Sequence, residues 1–218
     1  MPVWIIAAIL IVVGAAIMGT RTSRLEATTY DNISNCEATT KKPQSGVSYL
    51  NGLSEEFGLV TFKRSVAEVT QYFTLCSTEP KIALTVFRRA LTNGNTSAKV
   101  IALHSTIFLA PDLDASDFQL VIASLADKSP EVCRVAQRAV SDLTVLKRAD
   151  NGSAYEVLPG GLPQPEKDAP SHKIETRKET IDGQQYLDIR WSDPDLAQAW
   201  LKANAGTWDP KLHRFVVP

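Results

Sequence analysis

Hydrophobic positions along this chain change their spacing several times, and each change marks an element or a boundary. Residues 3–18 (VWIIAAILIVVGAAIM) are apolar without interruption. With Gly19 they predict a helix of roughly 25 Å, the short end of what crosses a bilayer core. Residues 21–62 are rich in Thr, Ser, Asn and Gly and carry Lys41-Lys42-Pro43, which reads as an irregular tether with a short helix at 54–59. From Ser65 the spacing turns helical. Ser65 and Glu68 form a capping box ahead of Val66, Val69, Tyr72, Phe73 and Cys76. A second helix starts at Thr78-Glu79, with Pro80 in its first turn, Ile82, Leu84, Val86, Phe87 and Leu91 as its apolar positions, and Gly94 just past its end. A third covers 96–109 and stops before Pro111. A fourth follows Asp114 as cap, with Asp117 three residues on, and a fifth runs from Ser129-Pro130-Glu131 to about Leu146.

Beyond Asn151 the pattern breaks. Residues 151–171 (NGSAYEVLPGGLPQPEKDAPS) hold most of the Pro and Gly density and read as a linker. Leu187, Ile189 and Trp191 then alternate as on a half-buried strand, and Asp182-Gly183 predicts a tight hairpin back to 173–181. Asp193-Pro194 opens a helix carrying Leu196, Trp200 and Leu201 and closing near Gly206, and 212–217 is a final strand.

The helical body repeats itself. Leu91 and Leu125 are 34 residues apart, and 91–107 (LTNGNTSAKVIALHSTI) superposes without a gap on 125–141 (LADKSPEVCRVAQRAVS). Ala102 falls on Ala136, Val86 on Leu120 and Leu84 on Phe118, a period that marks an α-solenoid. The second unit, with Pro130-Glu131-Val132 at its inter-helix turn and Arg134, Ala136 and Ala139 after it, resembles a short HEAT repeat. The resemblance covers about 79–147. It implies stacked helix pairs, with small Ala102, Ala136 and Ala139 allowing close approach. The first unit departs from the pattern, having Ala98-Lys99 where Val132-Cys133 stand and no proline.

A second resemblance lies at 186–218 (YLDIRWSDPDLAQAWLKANAGTWDPKLHRFVVP). Tyr186, Leu187, Asp188, Trp208, Asp209, Pro210 and Pro218 match a small strand–helix–strand module appended to plasmid-type primases and antirestriction proteins. Arg190 replaces that module's first-strand proline, and Gly206 stands two residues before Trp208 instead of three. The resemblance implies proximity to nucleic acid and carries no chemistry to transfer.

The expected fold is therefore mainly α. A transmembrane anchor at 1–20 precedes a tether at 21–62 and a HEAT-like α-solenoid at 63–148. A linker at 149–172 then leads to a small ββαβ module at 173–218. Arg21 and Arg24 follow the apolar run and no basic residue precedes it, so the positive-inside rule places the carboxyl side of a single-pass protein in the cytoplasm. The rival is a signal peptide cleaved near Gly14-Ala15-Ala16, followed by export.

Composition narrows the chemistry more than it directs it. Hydrophobic residues make up 44% of the chain and charged ones 22%, an ordinary globular balance. Net charge is −1, so no global field marks a nucleic-acid or acidic-membrane binder. Cys36, Cys76 and Cys133 are odd in number and lack motif spacing, which argues against both a disulfide framework and a zinc site. His104-Ser105 is not a nucleophile–base pair by adjacency, because helix neighbours face different directions. Asp112, Asp114 and Asp117 lack the glycine and distal glutamate of a calcium loop, so helix capping accounts for them better. No catalytic, metal-ligating or cofactor-binding residue is expected. Arg88, Arg89, Arg134 and Arg138 are the candidate binding residues of the helical body, where they could line a shared basic face, and Trp208 and Phe215 are those of the module.

Three functions remain open on these residues. The first is a membrane-anchored, non-enzymatic scaffold that binds a protein partner through its helical-repeat surface. The second is a nucleic-acid-associated role for 173–218. The third is a lyase or chaperone-like enzyme of the kind built on HEAT-type repeats, which requires a pocket with convergent polar groups.

Overall fold

A computed structural model of the chain describes residues 3–36, 38–39, 61–62, 66–147 and 174–218, with side chains over 19–36, 68–147 and 178–218. The predicted tether, apart from its first residues and two short strands, and the predicted linker lie outside these residues. Helix α1 is Val3–Ser34, and strands β1 (Ala38–Thr39) and β2 (Thr61–Phe62) pair antiparallel. The helical body comprises α2 (Val66–Thr78), α3 (Pro80–Asn93), α4 (Thr96–His104), α5 (Thr106–Leu109), α6 (Ala115–Ala123) and α7 (Pro130–Leu143).

Local chemistry sets these boundaries. Pro80 occupies the first turn of α3, where its missing N–H is no loss, and the Gly94 N–H closes the helix on the Ala90 carbonyl. Asn95 caps α4 through Ala98 N. At α6 the Asp114 carboxylate accepts from the backbone of Ser116 and Asp117, while the Asp117 carboxylate accepts from Asp114 N, a reciprocal capping box. Within the body, α4 packs on α7 and α3 on α6, the helices that a 34-residue repeat would make equivalent. Ala102 and Ala136 are both fully buried, as are Leu84 and Phe118 to within a tenth.

Beyond the body, β3 (Thr144–Lys147), β4 (Ile174–Ile181), β5 (Gln184–Trp191), β6 (Thr207–Asp209) and β7 (Arg214–Val217) form one mixed sheet, and α8 (Pro194–Ala203) packs on it. The strand order is β4-β5-β3-β7-β6, with β3 antiparallel to β5 and parallel to β7. The β4–β5 turn has positive φ at both Asp182 (50°) and Gly183 (78°), as a primed two-residue hairpin needs.

Among the described residues no helix is long and apolar enough to cross a membrane. The expected transmembrane helix, and the single-pass placement with a cytoplasmic body, are withdrawn on that ground. The apolar run and the Gly14-Ala15-Ala16 site both fall where side chains lie outside the described residues. The physical reason is visible further along α1. The helix does not end at residue 20 but continues to Ser34, carrying Arg21, Arg24, Glu26 and Asp31, and it docks on the helical body. Thr29, Ile33 and Cys36 are buried there, Asn95 Nδ2 donates to the Ser34 carbonyl at 2.7 Å, and Tyr30 Oη donates to the Asn93 carbonyl at 3.4 Å. Residues 21–34 are thus part of the body and not of a tether.

The carboxyl-terminal part is not the expected free-standing ββαβ module, because its strands are assembled around β3, which follows α7 without a loop. The fifth helix ends at Leu143 and not at Leu146, and Thr144, Val145 and Leu146 are buried strand residues. One hydrophobic core runs continuously from Phe87, Ile101 and Leu143 to Ile189, Trp200 and Val217. The remaining differences are local. The third helix breaks at Ser105 into α4 and α5, and Thr207–Asp209 forms an additional edge strand. Gly206 is required at the approach to that strand, since a Cβ there would stand 2.5 Å from Phe215 Cε1 and 2.9 Å from the Val216 carbonyl.

Candidate functional site

Where α7 hands over to β3, the last turns of the helical body and the sheet leave a cavity of about 660 Å3. Its helical wall brings Thr106, Ile107, Ala110, Arg138 and Asp142, and its sheet wall brings Lys178 and Glu179 from β4, Asp188 and Arg190 from β5 and Arg214 from β7. Local structure explains why these charges stay out of the core. On β5 the residues Leu187, Ile189 and Trp191 are buried, so the alternating Asp188 and Arg190 take the opposite face. On α7, Val132, Val135, Ala136, Ala139 and Val140 face inward, leaving Arg138 and Asp142, four residues apart, on the cavity side.

Four basic and three acidic side chains line the space, and they fall into two ion pairs and a remainder. Arg138 Nε lies 3.3 Å from Asp142 Oδ1, and Arg190 Nε lies 3.3 Å from Asp188 Oδ2. Burial pushes the Asp142 carboxyl above its ordinary range. Arg138 and Arg190 oppose that shift, while Asp188 adds to it. Among the described residues neither Lys178 nor Arg214 has a carboxylate partner; Arg214 Nη1 donates instead to the His213 carbonyl at 3.2 Å. Ile107 is 53% exposed and is the one large apolar side chain among the described residues to stand so far into solvent.

The six residues singled out from sequence are not gathered in one place. Arg138 alone lines the cavity. Arg88 reaches across to α6, where Nε donates to Asp117 Oδ1 at 2.6 Å and Nη2 to Asp117 Oδ2 at 2.9 Å and to Asp114 Oδ2 at 3.2 Å. Arg89 lies over the Tyr30 ring, 3.8 Å from its centroid, and so fastens α1 to α3. Arg134 is exposed, next to Glu131. Trp208 and Phe215 both face Phe118, with ring centroids at 5.6 and 4.9 Å, and join the sheet to α6. That packing occupies the two rings a base-stacking surface would use.

Asp142, Lys178, Asp188, Arg190 and Arg214 escaped the sequence reading. The alternation of Asp188 and Arg190 with buried neighbours was the available signal, but it marks a face and not a cavity.

The His104-Ser105 step forms no dyad. Ser105 is fully buried and its Oγ donates to the Ala102 carbonyl at 2.7 Å. Its one proton being so placed, Tyr72 Oη is the donor across the 3.2 Å contact to Ser105 Oγ. Burial raises the Tyr72 phenol, and it pushes the adjacent Cys76 thiol up to about 11, so both stay neutral.

His104 itself is pushed down to about 4 by burial, from 6.5. Between those two values the unfolded chain binds the extra proton, so stability falls as pH drops from 6.5 towards 4. The expected loss is up to about 3 kcal/mol. Asp142, with its raised carboxyl, works in the opposite direction at the acid end. Urea unfolding at pH 7 and pH 4.5 should therefore show a smaller difference in His104→Gln than in the parent, and equal differences would exclude His104 as the source.

Compared with known protein families, curated proteins and solved structures, the chain shows no match.

Proposed function

We propose that the protein is a non-enzymatic interaction protein whose helical body and sheet together present the charged cavity to a protein partner. On this reading α3 to α7 act as HEAT-type pairs, and their role is to hold one wall of the cavity rigid. The observation that carries the reading is the lining itself. Most ligand pockets for small molecules are largely apolar with a few polar groups. This cavity is the reverse, with seven charged side chains drawn from both parts of the fold and one exposed isoleucine beside them. Mixed charge of this kind favours recognition of a polar surface and register-setting over tight capture of an apolar molecule.

The reading is tested by placing a photo-crosslinking side chain at Ile107 in the full chain within its native cell, with a control at exposed Thr92 on the far end of α3. A discrete adduct from position 107 that is absent from position 92 is the expected result. Identical patterns from both positions would sink the reading.

One observation favours a second reading, a ligand-handling enzyme of the lyase or chaperone-like kind. Asp142 lines the cavity, and burial raises its carboxyl against the opposing pull of Arg138 and Arg190, which is the direction of shift a general acid needs. That reading requires Asp142→Asn to abolish turnover of whatever the cavity holds while leaving its binding intact.

A further inference from the structure

We propose that β4 is a self-pairing edge: the β4 strands of two copies of this chain join antiparallel about a two-fold axis through Thr176. Such pairing goes beyond the cavity and does not depend on what fills it.

Backbone geometry is the first ground. β4 is an eight-residue strand at the end of the sheet, and among the described residues it pairs only with β5. Ile181 and Gln184 flank the two-residue turn at Asp182-Gly183, so they exchange both main-chain hydrogen bonds. The alternation then commits Glu175, Arg177 and Glu179 to β5. Ile174, Thr176, Lys178 and Thr180 are left with N–H and C=O groups turned outward. Lys178 and Thr180 are exposed, as an open edge requires. A row of this length is a template for another strand.

Register is the second ground, and it selects a second copy as the occupant. Residues directly opposite share a face, and faces alternate along a strand, so the two-fold axis must pass through a residue. Centred on Glu175 or Glu179, the pairing sets glutamate against glutamate. Centred on Arg177 it sets arginine against arginine and Glu175 against Glu179, and centred on Lys178 it sets lysine against lysine. Like charges directly opposite are destabilising. Centred on Thr180, the opposed stretch runs into the turn. Thr176 avoids all of these. It then faces its own copy, Glu175 of each chain stands opposite Arg177 of the other, and Ile174 stands opposite Lys178. Glu179 lies beyond the opposed stretch. Charges that block every other register thus attract in this one, and the contact is isologous, as a closed dimer needs.

The two copies also have room. Their β5 strands would stand three strand spacings, about 14 Å, apart. Packed helices need only about 8–10 Å, so the α8 that covers each β5 clears its counterpart. Lys178 lines the cavity, and the other copy's Ile174 would stand opposite it, so two cavities would flank the axis. The pairing adds about six main-chain hydrogen bonds, a small contact that predicts weak, reversible association.

The test is sedimentation equilibrium of the full chain from about 1 µM to about 1 mM, the range of weak association. The parent should pass from monomer to dimer across it. Thr176→Pro, which removes an outward N–H and no bond to β5, should stay monomeric. Glu175→Arg and Arg177→Glu each set like charges opposite at two places, so each should dimerise at least about tenfold more weakly. Mixed in equal amounts, those two variants should regain the parent's affinity as a heterodimer, because every 175–177 contact again joins opposite charges. Circular dichroism and the unfolding midpoint confirm that each variant is folded, and if Thr176→Pro is not, the mixture decides. A parent that stays monomeric throughout would overturn the proposal. So would a dimer that survives in folded Thr176→Pro, or a mixture that associates no more tightly than its components.

Discussion

Replacing Phe118 with alanine is expected to lower stability by about 4 kcal/mol, the largest effect of any single truncation proposed for this protein. Phe118 is 1% exposed on α6, and it holds together parts of the chain that are far apart in sequence. Its ring stacks on Phe215 at 26° and tilts against Trp208 at 35°, so it is where the β6–β7 hairpin meets the helical body. Truncation removes the transfer energy of a whole ring and leaves a void whose walls come from two strands and a helix. The sheet walls cannot collapse into it easily, because Gly206 already lies against the Phe215 ring with no room for a Cβ. Differential scanning calorimetry should show a midpoint about 10 °C lower, in one transition, given the usual relation for domains of this size. Phe118→Leu, which retains most of the volume, should lose less than half as much. A loss under about 1 kcal/mol for the alanine variant would mean that the hairpin is not held through this ring.

The second large effect is expected at Arg88. Asp117 is wholly buried, and its carboxylate is satisfied from two sides, by the Arg88 guanidinium and by the Asp114 N–H of the capping box. Removing Arg88 strands that charge away from water. Breaking a buried pair from one side costs about 3–5 kcal/mol, and the lower end applies because the Arg88 side chain is 46% exposed. Arg88→Ala is thus expected to cost about 3 kcal/mol in urea unfolding. Asp117→Asn keeps an acceptor for the Asp114 N–H while removing the charge. The double variant Arg88→Ala/Asp117→Asn should therefore be more stable than the sum of the single losses predicts, by about 1–2 kcal/mol. Strict additivity would show that the two residues do not act as a pair.

Both predictions concern residues that the sequence placed on helices, with Asp117 correctly assigned as a capping residue. What it could not show was what they touch. Arg88 stood out as a candidate for binding because it is adjacent to Arg89 and lies on a helix face, and only the packing of α3 against α6 commits it to Asp117. Trp208 and Phe215 were candidates through the resemblance of 186–218 to a module found beside nucleic-acid enzymes, with the core of a small fold as their other reading. Their partner, Phe118, lies about ninety residues earlier, in a helix whose own periodicity gives no hint of the sheet. The cavity is less legible still. Asp142, Arg190 and Arg214 come from three elements, and no spacing in the chain connects them.

Sequence alone determined the features that depend on neighbours a few residues away. The proline start and glycine stop of α3, the Asp114 cap of α6, the Asp182-Gly183 hairpin turn and the Asp193-Pro194 start of α8 all belong here, because a cap or a turn is closed by hydrogen bonds within its own few residues. Tertiary structure decided the rest. Thr144–Lys147 became a strand and not the last turn of a helix because β5 and β7 supply its hydrogen bonds on either side, Val145 standing opposite Asp188 on one and Val216 on the other. A four-residue stretch with two apolar positions, Val145 and Leu146, carries no period long enough to announce that choice. The continuation of α1 past residue 20 was settled in the same way, by Ile33 and Cys36 finding a core to enter and by Asn95 reaching the Ser34 carbonyl. The charged cavity exists only because those long-range pairings bring the end of α7 between the ends of two strands.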